Sequence, residues 1–207
     1  MTAGRAFLLA TGNQHKLKEM SELLGGIELR SLPPEVTLPP ETGDSFEANA
    51  LIKARAAHAA TGLPTIADDS GIEAADLGGA PGIYSARYAG EGASDEANLA
   101  KLLREVDAAG GGRRAAYVCV LALIDEQGEE SLFEARCEGT LLREGRGEGG
   151  FGYDPAFVPD ETGPRDGRTF AELSVAEKHA VSHRGKAARL LARHLGLAPE
   201  GTLGPHP

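Results

Sequence analysis

Two carboxylates stand side by side in an otherwise apolar run, Ile66-Ala-Asp68-Asp69-Ser70-Gly71, and that pairing constrains the chain more than any other feature. Leu63 to Ala67 reads as a buried strand, so Asp68 and Asp69 are expected at its end. Neighbouring buried anions repel one another, and each is costly to remove from water. A cation offsets that cost, and hard oxygen ligands beside a phosphate site favour magnesium. Successive strand residues point to opposite faces, so the two carboxylates need not share one ion. One of them could instead act as general base toward a water. The plain alternative is a solvated Asp-Asp turn.

Elements on either side of this run alternate between strand and helix. Phe7 to Thr11 reads as a strand, Gly12-Asn13 as a turn, and His15 to Leu24 as a helix stopped by Gly25-Gly26. Ile27 to Leu32 is a short strand, and Pro33, Pro34, Pro39 and Pro40 mark an extended loop. Asp44 or Ser45 can cap a helix from Phe46 to about Ala60, and Ser94 one from Asp95 to about Val106. Gly78 to Gly92 is loop-like. Arg114–Ile124 and Ser131–Leu142 form a predicted hairpin around Gly128, followed by a glycine-rich loop, Gly145 to Gly152. Ser174-Val-Ala-Glu177 is a capping box that opens one last helix running to about Leu195. The pattern predicts an α/β fold with a mixed sheet. One domain is expected over 1–197, with a disordered Pro/Gly-rich tail at 198–207.

Composition narrows the function classes. The chain has 207 residues, enough to bury roughly 70% of its unfolded surface. No run approaches the ~20 apolar residues of a membrane span, and Met1 to Arg5 lacks a signal pattern, so a cytoplasmic protein is expected. Cys119 and Cys137 lie in strand-like runs without metal spacing and read as core residues. The net charge of −10 argues against a nucleic-acid polymer as partner. A small anionic substrate remains open if a few cations converge locally.

Four further groups could supply them. In Thr11-Gly-Asn-Gln-His-Lys16 a strand gives way to a helix, whose free N–H groups suit phosphate and whose Lys16 could reach an oxygen. The P-loop spacing is absent, and an ordinary connection would look the same. Asn49 and Lys53 share a helix face, and Glu41 in the loop before them could be a second metal ligand. Gly149-Gly-Phe151-Gly-Tyr153-Asp154 sets two aromatics in a glycine frame able to approach and stack on a base. Glu177-Lys178-His179-Ala-Val-Ser182-His183-Arg184 places His179 and His183 at i, i+4, without the glutamate of a zinc motif.

In order and in combination these stretches closely resemble the inosine triphosphate pyrophosphatase family, the XTP/dITP diphosphatases. The matching motifs are Thr11-Gly-Asn13…Lys16, Phe46-Glu-Ala-Asn49…Lys53, Ile66 to Gly71, Leu77 to Arg87, Phe151-Gly-Tyr-Asp154 and Glu177-Lys178…Ser182-His-Arg184, spanning about Phe7 to Leu195. The resemblance implies an elongated mixed sheet flanked by helices, with two lobes around a deep cleft, and a homodimer. It also implies magnesium-dependent hydrolysis of dITP, ITP and XTP to monophosphate and pyrophosphate. By that resemblance Thr11, Gly12, Asn13, Gln14, His15 and Lys16 hold the triphosphate and Lys53 adds charge. Asp69 is base and magnesium ligand with Glu41, and Ser70 touches substrate. Phe151, Gly152, Tyr153 and Asp154 surround the base, and Lys178, His183 and Arg184 read its edge. A dehalogenase-type phosphatase would need a D-x-D motif where Thr11-Gly-Asn13 stands. A nucleotide sensor would need the cleft but not the paired carboxylates.

Overall fold

The computed structural model describes residues 6–163 and 166–197, without the side chain of Gln14. The expected tail, 198–207, lies outside the described residues. Six strands form one sheet: β1 (Ala6–Ala10), β2 (Glu28–Ser31), β3 (Thr65–Ala74), β4 (Arg114–Ile124), β5 (Glu130–Leu141) and β6 (Phe157–Pro159). Their spatial order is β2-β1-β3-β4-β5-β6. β1 runs parallel to β2 and β3, and every later pairing is antiparallel. The helices are α1 (Gln14–Leu23), α2 (Phe46–Thr61), α3 (Asp95–Ala109), α4 (Val175–Val181) and α5 (His183–His194). The mixed sheet flanked by helices is the expected architecture.

Alternation within the strands sorts the core onto two faces. Phe7, Leu9, Ile66, Cys119 and Leu121 pack with Met20 of α1 and Leu191 of α5. Leu8, Ala10, Ala67, Val118 and Val120 pack beneath the alanines of α2. Small side chains on α2 (Ala50, Ala54 and Ala57, all fully buried) let that helix lie close on the sheet. A third cluster gathers Ile72, Leu102, Tyr117, Phe157 and Phe170 toward the far end of β3 and β4, against α3. Cys119 and Cys137 are buried and free, as their apolar surroundings predicted.

Two expectations change. The strand thought to end at Ala67 continues to Ala74, because β4 pairs with it without a break from Thr65↔Ile124 to Ala74↔Ala115. Asp68 and Asp69 therefore sit mid-strand, between one apolar cluster and the next. β1 stops at Ala10, opposite Ala67, so β3 loses its parallel neighbour where the carboxylates begin. That is where an open sheet gains a crevice. The single helix expected after Ser174 is two helices, broken at Ser182 in an extended conformation. The Ser174–Glu177 capping box is present. Ser182 ends α4 by donating its N–H to Lys178 and starts α5 by accepting from Gly185 N–H. Gly185 permits the tight corner: a Cβ there would lie 2.0 Å from the His179 carbonyl oxygen. His179 and His183 consequently do not share a helix face. His179 faces Glu22, whereas His183 is buried.

Candidate active site

The crevice opens where β1 gives way to α1. Asn13 caps that helix, its Oδ1 accepting from the N–H groups of His15 (2.9 Å) and Lys16 (3.2 Å). Thr11 Oγ1 accepts from Asn13 N–H, which fixes the turn. Space beside Gly12 is open, with nothing within 4 Å of the position a Cβ would take. Lys16, one turn into α1, forms an ion pair with Asp68. His15 stacks on Phe151 at 5.6 Å.

Asp68 and Asp69 point to opposite faces of β3, as strand geometry requires. Asp68 meets Lys16, and Arg184 approaches its Oδ2 at 3.4 Å. Burial alone would raise its pKa, but the charges of Lys16, Arg184 and Lys53 outweigh that and hold it well below the usual carboxylate range. Asp69 meets Lys53 at 2.9 Å, and the same ammonium lies 2.6 Å from Glu41. Asn49, one turn before Lys53, accepts from Gly43 N–H at 2.8 Å and so steadies the loop that carries Glu41. Asp69 Oδ2 is buried without a hydrogen-bond partner. Burial and the neighbouring Glu41 charge push its pKa up to about 6, against the pull of Lys53.

The other wall comes from the glycine-rich loop and from α4 and α5. Asp154 is buried and fully engaged: Oδ2 accepts from Phe151 N–H and Lys178 Nζ, each at 2.9 Å, and Oδ1 from Tyr117 OH at 3.1 Å. Lys178 also approaches Glu19 at 3.4 Å. Arg184 donates to Glu19 at 2.6 Å and to Ser70 Oγ at 2.9 Å. Lys178 and Arg184 both hang over the Phe151 ring. Gly152 N–H donates to Asp95, and Tyr153 OH to the Ser85 carbonyl. His183 stacks on Tyr117 with ring centroids 4.5 Å apart. Burial, helped by the Arg184 and Lys178 charges, pushes its pKa well below the ordinary value, so the imidazole is neutral. Its buried Nδ1 has no partner.

Of the residues predicted from sequence, Asn13, Lys16, Ser70, Phe151, Gly152, Tyr153, Asp154, Lys178, His183 and Arg184 line one cavity enclosing about 120 Å³. Thr11 and Gly12 lie outside its lining, on the β1–α1 turn, and His15, in α1, reaches it through its stack on Phe151. Asp69, Lys53 and Glu41 form a second group on the α2 face, within electrostatic reach of Lys16. Lys16 and Lys53 do not stand as free positive charges, because each is already paired with a carboxylate. Glu19, Tyr117, Asp95, Asn98 and Ser85 were given no site role from sequence. Glu19 carried a signal, a carboxylate beside Met20 on the apolar side of α1. The others become visible only when distant strands meet.

These features define a mixed-sheet α/β protein in which a helix-capped turn and an aromatic cavity lie on one side of β3, and a carboxylate–ammonium cluster lies on the other. The sequence profile of the Ham1 family matches residues 7–194, and the chain belongs to that family. It is 50% identical over 192 residues to a dITP/XTP pyrophosphatase of Mycobacterium tuberculosis, covering 89% of this chain and 92% of that one. It is 47% identical over 197 residues to a dITP/XTP pyrophosphatase of Geobacter sulfurreducens, covering 91% and 96%. The solved structure of a HAM1 protein from Coxiella burnetii superposes with a TM-score of 0.82 at 43% identity, covering 92% of this chain and 98% of that one.

Proposed function

We propose that this chain hydrolyses deaminated purine nucleoside triphosphates (ITP, dITP and XTP) to the monophosphate and pyrophosphate. The observation that carries this is Asp69: a buried carboxylate with one unpartnered oxygen, beside Lys53 and near the Lys16 turn. The two relatives' activity and the resemblance of the motifs support the same reading. On it, the β1–α1 turn and Lys16 take the triphosphate, and the aromatic cavity takes the base. A cavity of about 120 Å³ is below the ~300–1,000 Å³ of whole small-molecule sites, so the phosphates lie in the open crevice. Asp69 Oδ2 accepts a proton from water as the water oxygen bonds to phosphorus. The bond between the α- and β-phosphates breaks, and pyrophosphate leaves with its electrons. Lys178 and Arg184 offer N–H donors to a 6-oxo group and would meet a 6-amino group with unmatched donors, the arrangement that discriminates most strongly.

Magnesium fits the residues present. Asp69 and Glu41 are hard carboxylate donors that share the Lys53 ammonium, with Arg87 3.5 Å from the other Glu41 oxygen. Among the described residues no cluster of three His, Cys, Asp or Glu side chains gathers. That suits an ion held by one or two carboxylates and substrate phosphates, with water completing its shell. When bound, magnesium would supply the positive charge that the paired lysines do not have to spare. The reading extends to a homodimer in the cytoplasm acting on the nucleotide pool, supported by the family resemblance. No helix among the described residues is long and apolar enough to cross a membrane.

The test is pyrophosphate release from ITP, XTP, ATP and GTP, with magnesium and with chelator. Release from ITP and XTP that chelator abolishes is expected. Binding of ITP without release would replace hydrolysis by sensing, and trapping of a phospho-aspartate would replace it by phosphatase chemistry.

A further inference from the structure

Tyr117 has no step in the hydrolysis, yet two of the base-facing side chains lean on it. It sits on β4 opposite Cys137 and Ile72, and it lines the cavity. Its ring is held by Phe157 at 4.9 Å, edge-on, and by Phe170 at 5.6 Å, stacked. The His183 imidazole lies parallel to it, with 4° between the planes. Burial and the Asp154 charge push the phenol well above its ordinary pKa, so it keeps its proton and serves as a fixed donor. That proton goes to Asp154 Oδ1.

The geometry of Asp154 explains why the donor matters. Both Phe151 N–H and Lys178 Nζ approach Oδ2. Contacts to one oxygen leave a carboxyl group free to turn about its Cβ–Cγ bond, a broad torsion with little intrinsic preference. A third donor on Oδ1 removes that freedom. The direction of Lys178 follows, since its ammonium is set between Asp154 and Glu19.

We propose that Tyr117 is a positioning residue for base selection, acting through Asp154 on Lys178 while its ring sets the plane of His183. The inference rests on the proposed hydrolysis of 6-oxopurine nucleotides. Tyr117→Phe keeps the ring and its stacks but deletes the donor. Lys178 should then point less accurately at a purine 6-position, while the Asp69 group on the other face of β3 is untouched. Steady-state kinetics of wild type and Tyr117→Phe with ITP and ATP should show KM for ITP rising and kcat little altered. The ratio of kcat/KM for ITP over ATP should fall about tenfold, equivalent to ~1.4 kcal/mol.

A double-mutant cycle adds a readout that a merely structural role does not move. In an Asp154→Ala background, which removes the acceptor, Tyr117→Phe should have no further effect on the ITP/ATP ratio. Equal losses of kcat for both nucleotides, an unchanged ratio, or full additivity with Asp154→Ala would each overturn the proposal. So would a Tyr117→Phe protein that does not fold, since the hydroxyl would then be a structural requirement. A wild-type protein inactive on every nucleotide would sink the reading of the function itself, a result distinct from a variant that behaves like the wild type.

Discussion

Asp68 and Asp69 are adjacent on one strand, both buried, and electrostatically opposite. Asp68 faces two cations and is held ionised far below the usual range. Asp69 shares a single ammonium with Glu41 and is pushed up to about 6. The difference comes from what each face of β3 meets: α1 and α5 bring Lys16 and Arg184, while α2 brings only Lys53. A strand period of two thus turns one dipeptide into two devices. Asp68 is an anchor whose charge is used up holding cations in place. Asp69 keeps an unsatisfied oxygen that can take a proton.

The sharpest way to break that contrast is to neutralise each carboxylate in turn. Asp69→Asn keeps the shape and should cut pyrophosphate release by roughly 10²–10⁴-fold, the scale of a lost general base. Its circular dichroism should match the wild type. Near-normal turnover would remove Asp69 from the chemistry. Asp68→Asn should act on stability, because it leaves buried Arg184 and Lys16 short of a counter-charge. Breaking a buried pair on one side costs about 3–5 kcal/mol, to be read from urea denaturation. Equal unfolding curves for the two variants would erase the anchor's distinction.

Acidity offers a finer probe of the same contrast. If Asp69 must be ionised to accept a proton, kcat/KM, which reports the free enzyme, should rise about tenfold per pH unit up to about 6 and then level off. The sign for stability follows from linkage. Asp69 has a folded pKa above its ordinary 3.8, so the folded state binds its proton more tightly. Its charged form is a burden that grows as pH rises from about 4 to about 6. Asp68 is the reverse: its contribution is present above 3.8 and is lost only as pH falls toward its much lower folded value. Across pH 4 to 7 the wild type should therefore lose stability relative to Asp69→Asn, by on the order of 1–3 kcal/mol. Thermal melts in a pH series measure this. A constant gap between the two proteins would mean that Asp69 is not strained.

Much of this was legible in sequence for a physical reason. β4 was bounded correctly as Arg114–Ile124 because an apolar run beside a glycine turn is a local signal, although the strand is buried on both faces rather than alternating. The Ser94 and Ser174 caps were legible because capping is decided within four residues, and of the two candidates Asp44 and Ser45 the helix takes Ser45. The extent of β3 was not, because Asp68 and Asp69 look like a terminus until β4 supplies hydrogen bonds and distant lysines supply charge. The break at Ser182 was hidden for a similar reason. Lys178 to Arg184 has good helical composition, and the corner exists because Gly185 lets a backbone carbonyl approach. Ten of the motif residues line one cavity while Asp69, Lys53 and Glu41 stand apart, and Tyr117, which holds two of the ten, could be found only in three dimensions.

Ser182 gives the smallest effect and the subtlest test of the division between faces. It is fully buried, and its hydroxyl accepts from Gly185 N–H at 3.1 Å, at the corner that turns His183 and Arg184 into the crevice. Removing an N-cap hydroxyl costs typically about 1 kcal/mol. Ser182→Ala should lower stability by that amount and loosen Arg184 on the Asp68 side. KM for ITP should rise a few-fold, in the range of a weakened charge-assisted contact. The pH midpoint of kcat/KM belongs to Asp69, on the other face, and should stay where it is. A midpoint that moved with Ser182→Ala would mean that Arg184, and not only Lys16, tunes Asp69 across the strand. The two carboxylates would then be one coupled unit rather than an anchor beside a base.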